Sequence, residues 1–125
     1  MSDLLPSGPV LVVENHPDVR ITIHTALEFV GYKTISAPSA ATALKALGHM
    51  DRPRLVLLDG MLSEPEREYF IEHFRQQPAL SSVPIVLLTM DEGRSHGPVQ
   101  GFLRKPFNLD RLLATVEAHC ERLAA

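Results

Sequence analysis

The chain has 125 residues, 45% hydrophobic and 22% charged, with a formal charge of −3 at pH 7. That length suits one domain with a real core, and the composition excludes a disordered chain. The acidic excess gives no basic footprint for nucleic acid or an anionic membrane, and no apolar run approaches the about 20 residues that cross a bilayer.

Residues 1–8 read as a short flexible lead, framed by Pro6, Gly8 and Pro9, with 9–125 as one folded domain. Met1–Pro6 has no positive region or long apolar segment, so no secretion signal is read there. Val10–Val13 is an apolar run ending in Glu14-Asn15. Pro17 and Asp18 then open a helix whose apolar positions Val19, Ile23, Ala26, Leu27 and Val30 follow a helical period, and Gly31 stops it. Lys33–Ser36 is β-prone. Pro38-Ser39 starts a second helix with Ala40, Ala43, Leu44 and Leu47 on one face, ending near Gly48.

Leu55–Asp59 is unbroken in its apolar character until the aspartate, as expected of a strand covered on both faces. Pro65 starts a third helix, with Phe70 and Phe74 one turn apart, and Pro78 ends it. Val83–Thr89 reads as the fourth strand, and Phe102-Leu103 as the fifth, leading through Arg104 to Lys105-Pro106. A final helix begins near Asn108, with Leu109, Leu112, Leu113, Val116, Cys120 and Leu123 on its buried side. Cys120 therefore reads as a small core residue rather than a reactive thiol. As the only cysteine it excludes an internal disulfide and fits a reducing cytoplasm. The six histidines (16, 24, 49, 73, 96 and 119) form no zinc-like cluster.

Strands alternating with helices imply βαβ units, a parallel sheet and right-handed crossovers, hence a doubly wound α/β domain. One interval departs from the pattern. The twelve residues Met90 to Gly101 are close to the minimum for a parallel crossover, and MDEGRSHGPVQG holds three glycines and a proline. In a helix interior glycine is about 1 kcal/mol and proline about 3 kcal/mol worse than alanine. The fourth helix is expected to be short or missing, replaced by a mobile loop.

In a parallel sheet the ends of these runs share one edge, which is where open α/β sheets bind ligands. An acid and an amide (Glu14, Asn15), a carboxylate (Asp59), a hydroxyl (Thr89) and an ammonium (Lys105) would meet there. Such a set suits a magnesium-assisted phosphoryl group carried on Asp59.

The four pieces VLVVENHPDVR, LVLLDGML, VPIVLLT and FLRKPF, in that order, resemble the receiver domain of two-component response regulators from about Pro9 to Leu123. The resemblance implies a flavodoxin-like five-stranded sheet of order 2-1-3-4-5, an order for which a receiver is itself a standard example. It implies that Asp59 is the phosphoacceptor, attacking a phosphohistidine of a sensor histidine kinase or histidine phosphotransferase to give an aspartyl phosphate. Magnesium would be held by Glu14, Asn15, Asp59 and the backbone carbonyl of Met61. Lys105 and Thr89 would each meet a phosphoryl oxygen, and Phe102 stands at the aromatic switch position. Lys105-Pro106 is a candidate cis bond. The implied protein is a cytoplasmic, stand-alone signalling module rather than an enzyme, a monomer or weak dimer acting through a downstream protein partner.

Departures from the family pattern limit this reading. Asn15 stands where the family has an acid that ligates magnesium directly, so the site loses a charge and weak binding is expected. At an effective dielectric of about 20, a unit-charge pair about 4 Å apart is worth about 4 kcal/mol, much of it offset by solvation. Met90 stands where a small residue is usual and should narrow access to Asp59. Ser63 replaces a proline and should loosen Leu62–Glu64. Asn15 and Met90 together motivate an alternative, a pseudo-receiver that binds partners without taking phosphate. LVLLDGML also partly resembles the haloacid-dehalogenase phosphatase motif, but Met61 stands where that family needs a second aspartate. His16 is expected to be solvated.

Overall fold

A computed structural model describes residues 8–90 and 99–120. The first apolar run forms β1 (Val10–Val13), wholly buried and paired on both sides. Its neighbours are β2 (Thr34–Ala37) and β3 (Leu55–Asp59). Beyond β3 lie β4 (Ile85–Thr89) and β5 (Gly101–Arg104), and all pairings are parallel, in the order β2-β1-β3-β4-β5. Between them run α1 (Pro17–Phe29), α2 (Ala40–Leu47) and α3 (Glu64–Gln76), with a 3-10 turn at Pro78–Leu80, and α4 (Leu109–His119) follows β5. This is the flavodoxin-like, doubly wound architecture the sequence implies.

Strand side chains alternate between faces, and the alternation sorts the core into two layers. Leu11, Val13, Val56, Leu58 and Leu87 meet Ala40, Ala43, Phe70 and Phe74 of α2 and α3. Val12, Leu55, Leu57, Val86 and Leu88 meet Ile23, Leu27, Leu112 and Val116 of α1 and α4. Burying each leucine or phenylalanine fully is worth about 1.5–3 kcal/mol, so both layers hold the sheet rigidly under its functional edge.

The helix ends follow local chemistry. Ser39 accepts from the Thr42 amide at 3.2 Å and Asn108 from the Arg111 amide at 2.8 Å, each satisfying an orphan donor. Past α1 the chain turns at Gly31 with φ +100, a conformation that disfavours a side chain.

Ser63 caps α3, accepting from the Glu66 amide at 3.3 Å. Glu66 in turn accepts from the Ala40 amide at 2.9 Å, tying α3 to the start of α2. Some expectations need correction. Leu109 is 50% exposed rather than buried, because the first residue of α4 turns out beside Ile21 and Phe29 of α1. Val30 lies beyond α1 and is also exposed, and Val83 precedes β4 instead of belonging to it. Cys120 is half-buried against the α1–α4 layer. The depleted connection between β4 and β5 falls mostly on residues 91–98, outside the described residues; Met90, Val99 and Gln100, at its ends, belong to no helix. Residues 1–7 of the lead and Leu123 also lie outside them.

Candidate functional site

Because every strand runs the same way, the residues ending β1, β3, β4 and β5 come to one edge. Asp59 is the last residue of β3 and Thr89 the last of β4, while Glu14 and Lys105 directly follow β1 and β5. The Lys105 Nζ lies 2.7 Å from Glu14 Oε1 and 3.2 Å from Asp59 Oδ1, across 91 and 46 residues of chain respectively. Two buried carboxylates thus share one ammonium.

Both carboxylates are also held by backbone. Asp59 Oδ1 accepts from the Met61 amide at 2.8 Å, and Oδ2 from the Asn15 amide at 3.4 Å. Glu14 Oε2 accepts from the His16 amide at 3.0 Å. Burial pushes the Glu14 carboxyl above its ordinary value; the Lys105 hydrogen bond opposes this and neighbouring Asp59 reinforces it.

Thr89 is buried, and its carbonyl accepts from the Lys105 amide at 2.8 Å, which fixes the lysine's backbone against the end of β4. A Cβ on Gly60 would stand 3.1 Å from Thr89 Cβ, so glycine lets the turn after Asp59 lie against Thr89. The Lys105-Pro106 bond is cis. His16 is exposed, as expected.

The structure therefore draws together Glu14, Asn15, Asp59, Met61 and Lys105 by direct hydrogen bonds, with Thr89 against them. Met90 and Phe102 stand at the margin. Met90 is 61% exposed and lines, with Asp18, Val19, Lys105, Pro106 and Phe107, a depression of about 420 Å³. Phe102 is half-buried against the α2–α3 layer.

The sequence reading missed two arginines. Arg20 Nη1 donates to the Glu14 carbonyl at 2.9 Å and the Asn15 carbonyl at 3.4 Å. Arg67 Nη1 donates to the carbonyls of Gly60 at 3.1 Å and Leu62 at 3.4 Å. A signal was present: each is a cation in the first turn of a helix, where the dipole favours an acid.

The donor set suits a hard cation. Carboxylate, amide and backbone carbonyl oxygens are what magnesium takes, alongside water. Among the described residues no three His, Cys, Asp or Glu side chains form a metal-holding group. With Asn15 in place, the negative side chains at this edge among the described residues are Glu14 and Asp59. The residues fit magnesium, with reduced charge.

A family model for the response regulator receiver domain matches residues 10–117. The chain belongs to that family. Among curated proteins this receiver is 30% identical over 121 residues to the phosphate regulon transcriptional regulatory protein PhoB of Escherichia coli (strain K12), covering 92% of this chain and 52% of PhoB. It is 33% identical over 115 residues to response regulator Rre1 of Synechocystis, covering 86% of this chain and 49% of that protein. The chain thus spans about half the length of these relatives. Chemotaxis response regulator CheY4 of Vibrio cholerae superposes with a TM-score of 0.81 at 25% identity, over 90% of this chain and 98% of that one. The receiver domain of sensor histidine kinase PA1611 from Pseudomonas aeruginosa PAO1, solved with magnesium in its active-site cleft, shares the fold (TM-score 0.79, 21% identity, 91% of this chain and 98% of that one). The protein is accordingly a receiver domain of two-component signalling. No helix among its described residues is long and apolar enough to cross a membrane.

Proposed function

We propose that this receiver accepts a phosphoryl group on Asp59 from the phosphohistidine of a sensor histidine kinase or histidine phosphotransferase. The observation that carries the reading is the Lys105 ammonium within hydrogen-bond reach of both Asp59 and Glu14 at the sheet edge. An Asp59 oxygen attacks phosphorus, the phosphorus–nitrogen bond breaks, and the donor imidazole leaves with its electron pair and takes a proton. Catalysis of such a transfer is mostly positioning and charge stabilisation. Met61 and Asn15 amides hold the Asp59 oxygens, Lys105 supplies a fixed positive charge, and the Thr89 hydroxyl supplies a donor beside the nucleophile's loop. Glu14, Asn15, Asp59 and the Met61 carbonyl would hold magnesium, which supplies charge neutralisation between phosphoryl and carboxylate oxygens when bound. Phosphorylation then alters the surface near Phe102 and Met90, which a downstream protein partner reads.

Incubation with magnesium and either acetyl phosphate or a panel of kinases, followed by intact mass, tests the reading. A phosphoryl increment that disappears in Asp59→Ala supports it. Absence of any increment from every donor supports the second reading, a pseudo-receiver that binds partners constitutively. That alternative is favoured by one observation, the amide of Asn15 where a third acid would complete the site.

A further inference from the structure

We propose that Arg20 and Arg67 are paired positioning residues, each orienting and polarising one of the two peptide groups that grip Asp59. Each Asp59 oxygen leads outward through a peptide group to an arginine. The Asn15 amide that meets Oδ2 at 3.4 Å belongs to the Glu14–Asn15 peptide, whose carbonyl takes Arg20 Nη1 at 2.9 Å. The Met61 amide that meets Oδ1 at 2.8 Å belongs to the Gly60–Met61 peptide, whose carbonyl takes Arg67 Nη1 at 3.1 Å. Both oxygens of the carboxylate therefore end a chain of guanidinium, carbonyl, amide and carboxylate.

The physics of each chain is the same. A planar trans peptide points its C=O and N–H in opposite directions, so a cation at the oxygen draws electron density away from the N–H. Linked hydrogen bonds strengthen one another by about 10–30% each in condensed phase. Each guanidinium also reaches one further carbonyl at 3.4 Å, Asn15 for Arg20 and Leu62 for Arg67, a second and weaker brace on the same loop.

The placement repeats within the fold. Arg20 is the fourth residue of α1 and Arg67 the fourth of α3, so the two helices that follow acid-tipped strands each return a guanidinium over the preceding loop. Helix stability does not explain it, since a cation in the first turn opposes the macrodipole by about 0.3–1 kcal/mol. Arg67 Nε is also buried without a hydrogen-bond partner among the described residues, so it is Nη1 that ties this guanidinium to the loop. In a site where Asn15 has replaced an acid and magnesium has less to hold it, these relays keep both Asp59 oxygens fixed.

The functional part of this inference rests on Asp59 being the phosphoacceptor; the structural part does not. The test uses Arg20→Met and Arg67→Met, with Arg20→Lys and Arg67→Lys beside them. The amide proton shifts of Asn15 and Met61 are followed by two-dimensional NMR without metal, and the rate of phosphorylation by acetyl phosphate is followed by intact mass. Arg20→Met should move the Asn15 amide upfield and spare Met61, while Arg67→Met should do the reverse. Each should slow phosphorylation several-fold, and the lysine variants should recover part of both signals. An unmoved target amide overturns the proposal, and so does an equal movement of both amides in either variant, which marks general loosening. Should a methionine variant fail to fold, the corresponding lysine variant is judged by the same selective shift, smaller in size. Selective shifts in a protein that no donor phosphorylates would leave the relays standing and remove the phosphoacceptor reading instead.

Discussion

Restoring an acid at position 15 should change stability in opposite directions with and without magnesium. In the metal-free site, Glu14 and Asp59 already share the single ammonium of Lys105. The Asn15 amide lies 3.4 Å from Asp59 Oδ2, and its side chain is exposed. With an added carboxylate about 6 Å from Asp59 and an effective dielectric of about 40, the repulsion is about 1.4 kcal/mol. Asn15→Asp should therefore lower the metal-free melting temperature by roughly 4–7 °C for a domain of this size. A divalent ion meets the same carboxylate with twice the charge and opposite sign, so magnesium affinity should rise at least about tenfold after desolvation. Thermal melts of wild type and Asn15→Asp, with chelator and along a magnesium series, measure both effects. A variant that melts higher than wild type in chelator would refute the charge argument. Identical magnesium responses in the two proteins would refute the assignment of position 15 to the cation.

Three further outcomes follow from local geometry. Ser63→Ala removes the cap on α3 and should cost about 1 kcal/mol in urea unfolding; no loss would mean that the serine hydroxyl is not holding the Glu66 amide. A Cβ at Gly101 would lie 2.5 Å from His119 Nε2, at the tip of a ring that can swing aside, so Gly101→Ala should destabilise by at most about 1 kcal/mol, and His119→Ala should rescue it. Equal losses in the single and double variants would exclude that clash. Glu14 carries a raised folded-state value, so in chelator its folded form binds more protons than the unfolded chain between the ordinary value of 4.5 and the raised one. Its contribution to stability is thus greatest at low pH and is lost as pH rises through that window. Glu14→Gln should flatten this part of the stability profile, and an unchanged slope would argue against the shift.

How much of the molecule was legible depended on the range of the interaction. Unbroken apolar runs such as Leu55–Leu58 can only be covered on both faces, and their alternation with helical periods is a local signal that needs no partner to be read. The capping residues Ser39 and Asn108 were equally local. Leu109 and Val30 misled because helical period names a face without saying where the helix starts or stops relative to its neighbours. Arg20 and Arg67 show in the sequence only as cations set against the dipole at a helix start, because their partners are backbone carbonyls, which leave no residue type to recognise.

The polymer's own pattern determined that parallel strands would carry Glu14, Asp59, Thr89 and Lys105 to one edge, since direction and hydrophobic covering are set residue by residue. Only the folded arrangement decided how these groups divide their charges. It placed one ammonium between two buried carboxylates and put an arginine behind each peptide that holds Asp59. Those distances arise from the packing of α1 and α3 against the sheet, a sum over many weak contacts that no short stretch of chain encodes.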